Sequence, residues 1–213
     1  MDHSADMAVL TGDLVASTQL GRSGIDAAFD ALNASAHQQA EWLGGPLRFS
    51  RHRGDGWQVA LDRPEFALRS ALTFRAALRA RDPRFDTYVA IATGPVSAEI
   101  GRDLNAENDA VFVKSGRILD QLTSQDAPMR MAASDNTALN AVVVLADHLS
   151  MGWTLPQAAA MLHFLAPGEL PTFTEAAKRM GKSRQVVSKA LEAAGFRPLR
   201  HALSNLEGAL RHV

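Results

Sequence analysis

A short loop between two apolar runs constrains the fold of this chain more than any other stretch. Leu47-Arg48-Phe49-Ser50 leads into the loop and Trp57-Gln58-Val59-Ala60-Leu61 leaves it, with Gly54-Asp55-Gly56 at the turn. Glycine and aspartate tolerate the positive φ of tight turns, and alternating apolar residues favour strands. The segment therefore predicts a β-hairpin.

Short apolar strands and amphipathic helices alternate on both sides of this hairpin. The patterns predict a strand at 7–14, a helix at 23–43 capped by Ser23, the hairpin, a helix at 64–80, a strand at 86–93, a helix at 110–122 and a strand at 128–133. Strand–helix–strand crossovers around a hairpin build an antiparallel sheet with helices on one face. The predicted class is α+β, with a ferredoxin-like βαββαβ domain followed by an all-α region.

Two aspartates stand where short apolar strands end. Asp13 follows Ala8-Val9-Leu10, and Asp55 lies at the hairpin turn. The predicted sheet brings these two strand ends side by side, where a pair of carboxylates makes an oxygen-ligand site for Mg²⁺ or Mn²⁺ with phosphate oxygens completing the shell. Taken singly, each has an ordinary explanation, since aspartate is common in turns and at helix caps.

Composition narrows the setting in which the chain works. It has 213 residues, 46% of them hydrophobic, and no cysteine, which excludes disulfides and thiolate metal sites. The first residues lack the basic start and apolar run of a signal peptide, and no apolar stretch reaches membrane-spanning length. We therefore expect a cytoplasmic protein without a membrane partner.

Charge is distributed unevenly along the chain. The segment 171–213 has eight basic and three acidic residues, a net charge of +5, which leaves −6 on the rest of a chain whose total is −1. A basic end on an acidic body suggests a polyanion-binding module. We accordingly predict three regions: a nucleotide-binding domain at 1–135, a helical connector at 136–166 and a DNA-binding domain at 167–213.

The last region has the spacing of a helix-turn-helix. Thr172 and Glu175 form a capping box, Ala177 is small enough for close helix approach, Gly181 makes the turn, and Val187 packs the second helix on the first. The second helix would enter a major groove, and such a reader usually works as a homodimer. The predicted DNA-binding residues are Thr174, Lys182, Ser183, Arg184, Gln185, Ser188 and Lys189. The alternative is a helical hairpin for dimer packing with solvated charges.

Taken in order, these motifs resemble the SatD family over most of the chain. The segments that carry the resemblance are 11–17 (TGDLVAS), 54–56 (GDG), 109–117 (DAVFVKSGR), 152–157 (GWTLPQ) and the helix-turn-helix. The first part is also similar, more remotely, to the catalytic domains of class III nucleotide cyclases and GGDEF proteins. The resemblance thus implies a cyclase-type domain for the predicted ferredoxin-like fold.

The same resemblance implies a set of site residues. Asp13 and Asp55 would bind Mg or Mn, and a purine nucleotide would be held by Leu14, Val15, Ala16, Ser17, Thr18, Arg51, Arg53, Gly54 and Arg117. Backbone amides at a strand-to-helix turn suit phosphate.

Two positions depart from the cyclase pattern. Arg117 matches the cyclase arginine, but Val113 stands where cyclases have a ribose-binding asparagine, and Arg51 stands where a lysine reads the base. Valine cannot hydrogen-bond, and arginine does not simply replace lysine. The resemblance therefore favours nucleotide binding over cyclisation.

Three functions follow from these observations. The first is a nucleotide-responsive DNA-binding transcriptional regulator with a degenerate cyclase-like sensor. The second is a metal-dependent nucleotidyl-transfer enzyme with an accessory helix-turn-helix. The third is a helical adaptor without a ligand.

Overall fold

The computed structural model of the protein describes residues 5–45, 47–52, 54–96, 100–101, 103–124, 129–133 and 137–211. It contains a five-stranded mixed sheet. Its strands are β1 (Ala5–Leu14), β2 (Arg48–Arg51), β3 (Gly56–Leu61), β4 (Thr87–Val96) and β5 (Met131–Ala133). The α-helices are α1 (Ser17–Leu43), α2 (Ala67–Arg81), α3 (Ala110–Ser124), α4 (Thr137–Met151), α5 (Leu155–Leu162), α6 (Phe173–Met180), α7 (Arg184–Ala193) and α8 (Phe196–Leu210). The α+β class is thereby confirmed.

The strand order across the sheet is β2-β3-β1-β4-β5. β1 is central and runs antiparallel to both β3 and β4, and β2 pairs antiparallel with β3 as the predicted hairpin. The prediction of a wholly antiparallel sheet was wrong, because β5 lies parallel to β4. Helix α3 crosses between these two strands, and such a crossover returns the chain in its original direction.

Side chains of β1 alternate between two hydrophobic cores. Ala8 and Leu10 join the core that contains residues of α1 and α2, whereas Met7 and Val9 join a smaller core with Phe112 of α3. Alternation follows from the pleat, which points successive side chains to opposite faces. The prediction that all helices lie on one face was therefore wrong, since α3 covers the second face.

The first helix begins earlier than its apolar pattern predicts. α1 starts at Ser17, and Gly21 interrupts it with a φ of 65° and a ψ of 173°. Ser23, the predicted cap, lies inside the helix, because the short segment at 17–20 precedes the interruption. Ahead of α2, Pro64–Phe66 forms a 3₁₀ turn, so that helix begins at Ala67 rather than at Pro64.

The C-terminal helices pack against the first part of the chain. Trp153, Phe164 and Leu199 belong to the same hydrophobic core as α1 and α2. A buried ion pair also joins Arg69 on α2 to Glu207 on α8, with the Arg69 Nε to Glu207 Oε1 distance at 2.6 Å. The predicted regions at 1–135, 136–166 and 167–213 thus share one core.

Within the described part of the chain, none of the helices combines the length and the hydropathy that a bilayer crossing requires.

Candidate functional site

The two predicted metal ligands lie next to each other at one end of the sheet. Asp13 of β1 is paired in register with Gly56, so Asp55 stands beside it, and the Leu14 amide donates to the Asp55 carbonyl at 3.2 Å. Burial, followed by the negative charge of Asp55 and a hydrogen bond with its carboxyl, raises the pKa of Asp13 to about 6. The pair therefore resists carrying two negative charges without a cation.

The turn between β1 and α1 is held from both sides. Ala16 is left-handed, with a φ of 51°, and the Ser17 hydroxyl donates to Oδ2 of Asp55. The Val15 amide donates to the Asp86 carbonyl at 3.0 Å. The Leu14 and Val15 amides already donate within the protein, so they are not free to bind phosphate. Of the backbone amides predicted to bind phosphate, those of Ala16, Ser17 and Thr18 remain.

A cleft of about 570 Å³ opens between this turn and the hairpin, which we call the basic cleft. The described residues that line it are Ser17, Thr18, Gly21, Arg22, Ile25, Asp26, Arg51, Gly54 and Asp55. The predicted residue Arg53 lies outside the described residues. The cleft brings one carboxylate of the pair together with two guanidinium groups, an arrangement that suits phosphate and a divalent ion.

Two arginines supply the positive groups of the basic cleft, whose described lining also carries the carboxylates of Asp26 and Asp55. The Arg51 guanidinium lies over the Phe29 ring at 4.0 Å from the ring centroid, and Arg51 Nη2 donates to the Gly54 carbonyl at 3.1 Å. It also pairs with Asp26 at 3.4 Å, which holds its side chain across the cleft. Sequence reasoning missed Arg22, because it lies directly after the interruption of α1 at Gly21, where helical spacing does not predict which way a side chain faces.

A second pocket, of about 360 Å³, lies on the α3 side of the aspartate pair. Asp13, Gln58 and Glu107 contribute polar groups to it, and Phe112 and Val113 of α3 contribute apolar ones. Arg117, the remaining predicted nucleotide-binding residue, is exposed on α3 and does not line this pocket, whereas its neighbour Gly116 does.

A cluster of buried charges lies behind the site, and sequence reasoning did not find it. The Asp86 carboxylate accepts from Arg75 Nε at 3.0 Å, from Arg79 Nη1 at 2.8 Å and from Arg130 Nη1. Arg75 is fully buried and also donates to Asp147 at 2.6 Å. Since Asp86 receives the Val15 amide through its carbonyl, this cluster fixes the turn that carries the site.

The C-terminal helices place the key small and apolar residues where the spacing predicts. Ala177 and Val187 are buried, and Gly181 has a φ of 62° at the end of α6. Thr172 and Glu175 form the capping box, with the Glu175 carboxylate accepting the Thr172 amide at 2.7 Å. α6 and α7 are therefore two short helices joined by a tight left-handed turn.

Most of the predicted DNA-binding side chains are exposed on these helices. The exposed ones are Thr174, Lys182, Ser183, Arg184, Gln185 and Lys189. Ser188 differs from the expectation of full exposure, because it is half-buried and lines a small cavity of about 270 Å³ with Phe173 and Arg197. Ser183 caps α7 by accepting the Val186 amide at 3.3 Å, so its hydroxyl already has one partner.

Comparison with known proteins found no relative: no family model matches the chain, and no curated protein matches it.

Proposed function

We propose that this protein is a nucleotide-responsive, DNA-binding transcriptional regulator of the SatD type, with a cyclase-like domain that senses a purine nucleotide together with Mg²⁺ or Mn²⁺. The observation that carries the proposal is the placement of Asp13 next to Asp55 at the edge of the basic cleft. The strand order β2-β3-β1-β4, with β1 antiparallel to both neighbours, supports a ferredoxin-like plan for this domain.

The aspartate pair suits a hard divalent cation. Magnesium commonly takes one or two protein carboxylates and fills its remaining positions with phosphate oxygens and water. Among the described residues, no group of three or more acidic, histidine or cysteine side chains is arranged so that it could hold a metal ion. The ion would therefore depend on the phosphates of a ligand for the rest of its shell, and it would neutralise both carboxylates and part of the phosphate charge.

The protein groups around the pair fit the remaining charge of a nucleotide. Arg22 and Arg51 line the basic cleft and would contact phosphate oxygens, and the amides of Ser17 and Thr18 lie in the first turn of α1. Helix N-termini and guanidinium groups are both good phosphate binders. In this arrangement the metal and the phosphates bind together, so nucleotide affinity depends on the cation.

The geometry of α6 and α7 supports a helix-turn-helix. The two helices meet through buried Ala177 and Val187, and Arg184 and Gln185 are exposed at the N-terminal end of α7. These two side chains can pair with guanine and adenine edges, whereas Lys189 would contact a phosphate. α7 is therefore the proposed recognition helix.

Buried contacts connect the sensor to this helix. Arg79 on α2 donates to Asp86 at 2.8 Å and to the Trp153 carbonyl at 2.8 Å. The Trp153 indole donates in turn to the Ala194 carbonyl at 2.9 Å, at the end of α7. A change at the Val15 turn, which is bonded to Asp86, thus has a continuous packed route to the recognition helix.

A homodimer completes the proposal. A helix-turn-helix protein commonly reads two half-sites through a two-fold axis. α4 offers apolar surface for such contact, because Leu145 is 67% and Leu149 is 39% exposed one turn apart. Sedimentation of the parent and of Leu145→Asp would show whether this surface joins two copies.

The alternative function is a metal-dependent nucleotidyl-transfer enzyme, which the same aspartate pair favours. Against it stands Val113, which is 45% exposed at the second pocket and has no polar group to offer a transition state. Loss of one such group commonly costs about 100-fold or more in rate. We therefore place regulation ahead of catalysis.

The test is DNA binding with and without the nucleotide. Sites selected from a random DNA pool would be titrated by fluorescence anisotropy with the full chain, in the presence and absence of Mn²⁺ and GTP or ATP. We expect the nucleotide to change DNA affinity by about fivefold or more, and Asp55→Asn to abolish that change. Asp30→Asn, on the exposed face of α1, is the matched control. A parent that binds no DNA, or an Asp55→Asn variant that responds like the parent, would refute the proposal.

A further inference from the structure

The second pocket differs in charge from the basic cleft across the aspartate pair. Among the described residues that line it there is no lysine or arginine. Its volume of about 360 Å³ falls within the range of roughly 300–1,000 Å³ that is typical of small-molecule sites. The phosphates of a ligand therefore belong in the basic cleft, and an uncharged part of the same ligand would fit the second pocket.

Two polar residues of the second pocket, Glu107 and Gln58, offer free acceptors beside the donors of His52, Asn105 and Asn108. Glu107 uses one lone pair of Oε1 to accept the Gly101 amide at 2.8 Å, which leaves Oε2 and the second lone pair of Oε1 for a ligand. Gln58 donates through Nε2 to Thr11 at 3.1 Å, which leaves its carbonyl oxygen as an acceptor. The Asn105 amide group already donates to Asp103 at 2.7 Å. A ligand edge that donates hydrogen bonds is thus favoured here.

The apolar groups of the pocket suit a flat ring. Phe112, Val113 and Leu119 of α3 line one side of it, and Leu104 lines it from the preceding 3₁₀ turn. A planar base could pack on these side chains while its edge meets Glu107. Such a combination of an apolar face and a few placed polar groups is characteristic of ligand sites.

We propose that the second pocket binds the base of a guanine nucleotide and that Glu107 is its specificity-determining residue. This inference rests on the proposed nucleotide site at Asp13 and Asp55. Guanine presents two adjacent donors, N1–H and the N2 amino group, and a carboxylate accepts both. Adenine presents an acceptor, N1, beside its amino group, so its ring nitrogen would face the Glu107 carboxylate without a hydrogen bond.

The test compares three probes: GTP and ATP differ only in the base, and inorganic triphosphate lacks the whole nucleoside. Inorganic triphosphate, GTP and ATP would be titrated into the full chain with Mn²⁺ by calorimetry. We expect GTP to bind about tenfold or more tightly than ATP, because one hydrogen bond to a charged group contributes about that factor to an affinity. In Glu107→Gln this preference should disappear, while the affinity for inorganic triphosphate stays unchanged. Glu41→Gln, an exposed position on α1, is the matched control.

A second variant tests the pocket without changing its charge. Gly116 lines the pocket, and a Cβ added there would meet no atom within 4 Å, so Gly116→Leu fits the helix and fills the space. We expect it to weaken GTP and ATP at least about tenfold and to leave inorganic triphosphate unaffected.

Four results would overturn the inference. If the parent binds GTP and ATP equally, or if Glu107→Gln keeps the preference, Glu107 does not select the base. If Gly116→Leu weakens inorganic triphosphate as much as GTP, the pocket does not hold the base. If the parent binds none of the three probes, the proposed nucleotide site fails and the inference fails with it.

Discussion

Replacing Asp13 by asparagine should stabilise the protein at neutral pH. The pKa of Asp13 is raised from its ordinary value of 3.8 to about 6, first because the group is buried and then because of its contact with Asp55. At neutral pH the folded state must therefore hold a carboxylate that its surroundings disfavour. Asparagine keeps the size of the side chain and removes that charge.

The magnitude follows from the size of the pKa shift. A shift of about two pKa units corresponds to at most about 3 kcal/mol of unfolding free energy. Asp13 is only half-buried, and solvent screening reduces this to about 1 kcal/mol. In a chain of this length that is a rise of roughly 2–4 °C in Tm.

The sign of the pH dependence is fixed by the direction of the shift. A raised folded-state pKa means that the contribution of Asp13 to stability is fully present below its unfolded pKa of about 4 and is lost as the pH rises through about 6. Asp13→Asn should therefore show its gain at pH 7.5 and no gain at pH 4. Asp30→Asn, at an exposed position on α1, should show no gain at either pH.

The assay is thermal and urea unfolding of the parent and both variants at the two pH values, without metal and then with Mn²⁺. The cation should stabilise the parent at pH 7.5 and have little effect on Asp13→Asn, since one ligand is gone. An equal gain in the free energy of unfolding at both pH values, or no gain at either, would contradict the raised pKa of Asp13.

Three further predictions concern other parts of the molecule. Arg75→Met should lower the free energy of unfolding in urea by roughly 3–5 kcal/mol, because it leaves Asp86 and Asp147 buried without their shared partner. Arg84→Met, in an exposed pair, should leave the urea midpoint unchanged, and equal effects of the two variants would contradict the stabilising role of the buried cluster. Arg184→Ala should weaken the free energy of binding to the selected DNA site by about 1–3 kcal/mol and relax the sequence preference of the protein, whereas Lys189→Ala should weaken specific and non-specific binding alike and reduce the slope of log affinity against log salt by about one. Identical behaviour of the two variants in anisotropy titrations would argue against a recognition helix. Purified protein incubated with Mn²⁺ and GTP or ATP should form little or no cyclic or linear product, and rapid conversion seen by chromatography would favour the enzyme instead.

The parts of the fold that short-range patterns determine could be predicted. The hairpin at Gly54-Asp55-Gly56 and the strand before Asp13 depend on turn residues and alternation, which act over a few residues. Their meeting at one end of the sheet follows from the strand order. The capping box at Thr172 and the turn at Gly181 were predictable for the same reason.

The parts that depend on distant contacts could not be predicted. The apolar face of α3 shows that this helix packs on a sheet, but either face of the sheet would satisfy it. Helix α8 is an exception, because Phe196, Leu199 and Leu203 recur at helical spacing and Pro198 is tolerated in the first turn, so local signals alone could have predicted it. Arg75 resembles a surface residue until its partners Asp86 and Asp147 are brought to it by the fold.

The most direct test of the central claim is calorimetric titration of GTP into the full chain, with and without Mn²⁺, for the parent and for Asp55→Asn. We predict that the parent binds GTP with one-to-one stoichiometry only when Mn²⁺ is present, and that Asp55→Asn loses most of this affinity while its thermal unfolding shows an intact fold. Binding by the parent that is independent of Mn²⁺, or unchanged binding by Asp55→Asn, would contradict a metal-dependent nucleotide site at the Asp13–Asp55 pair.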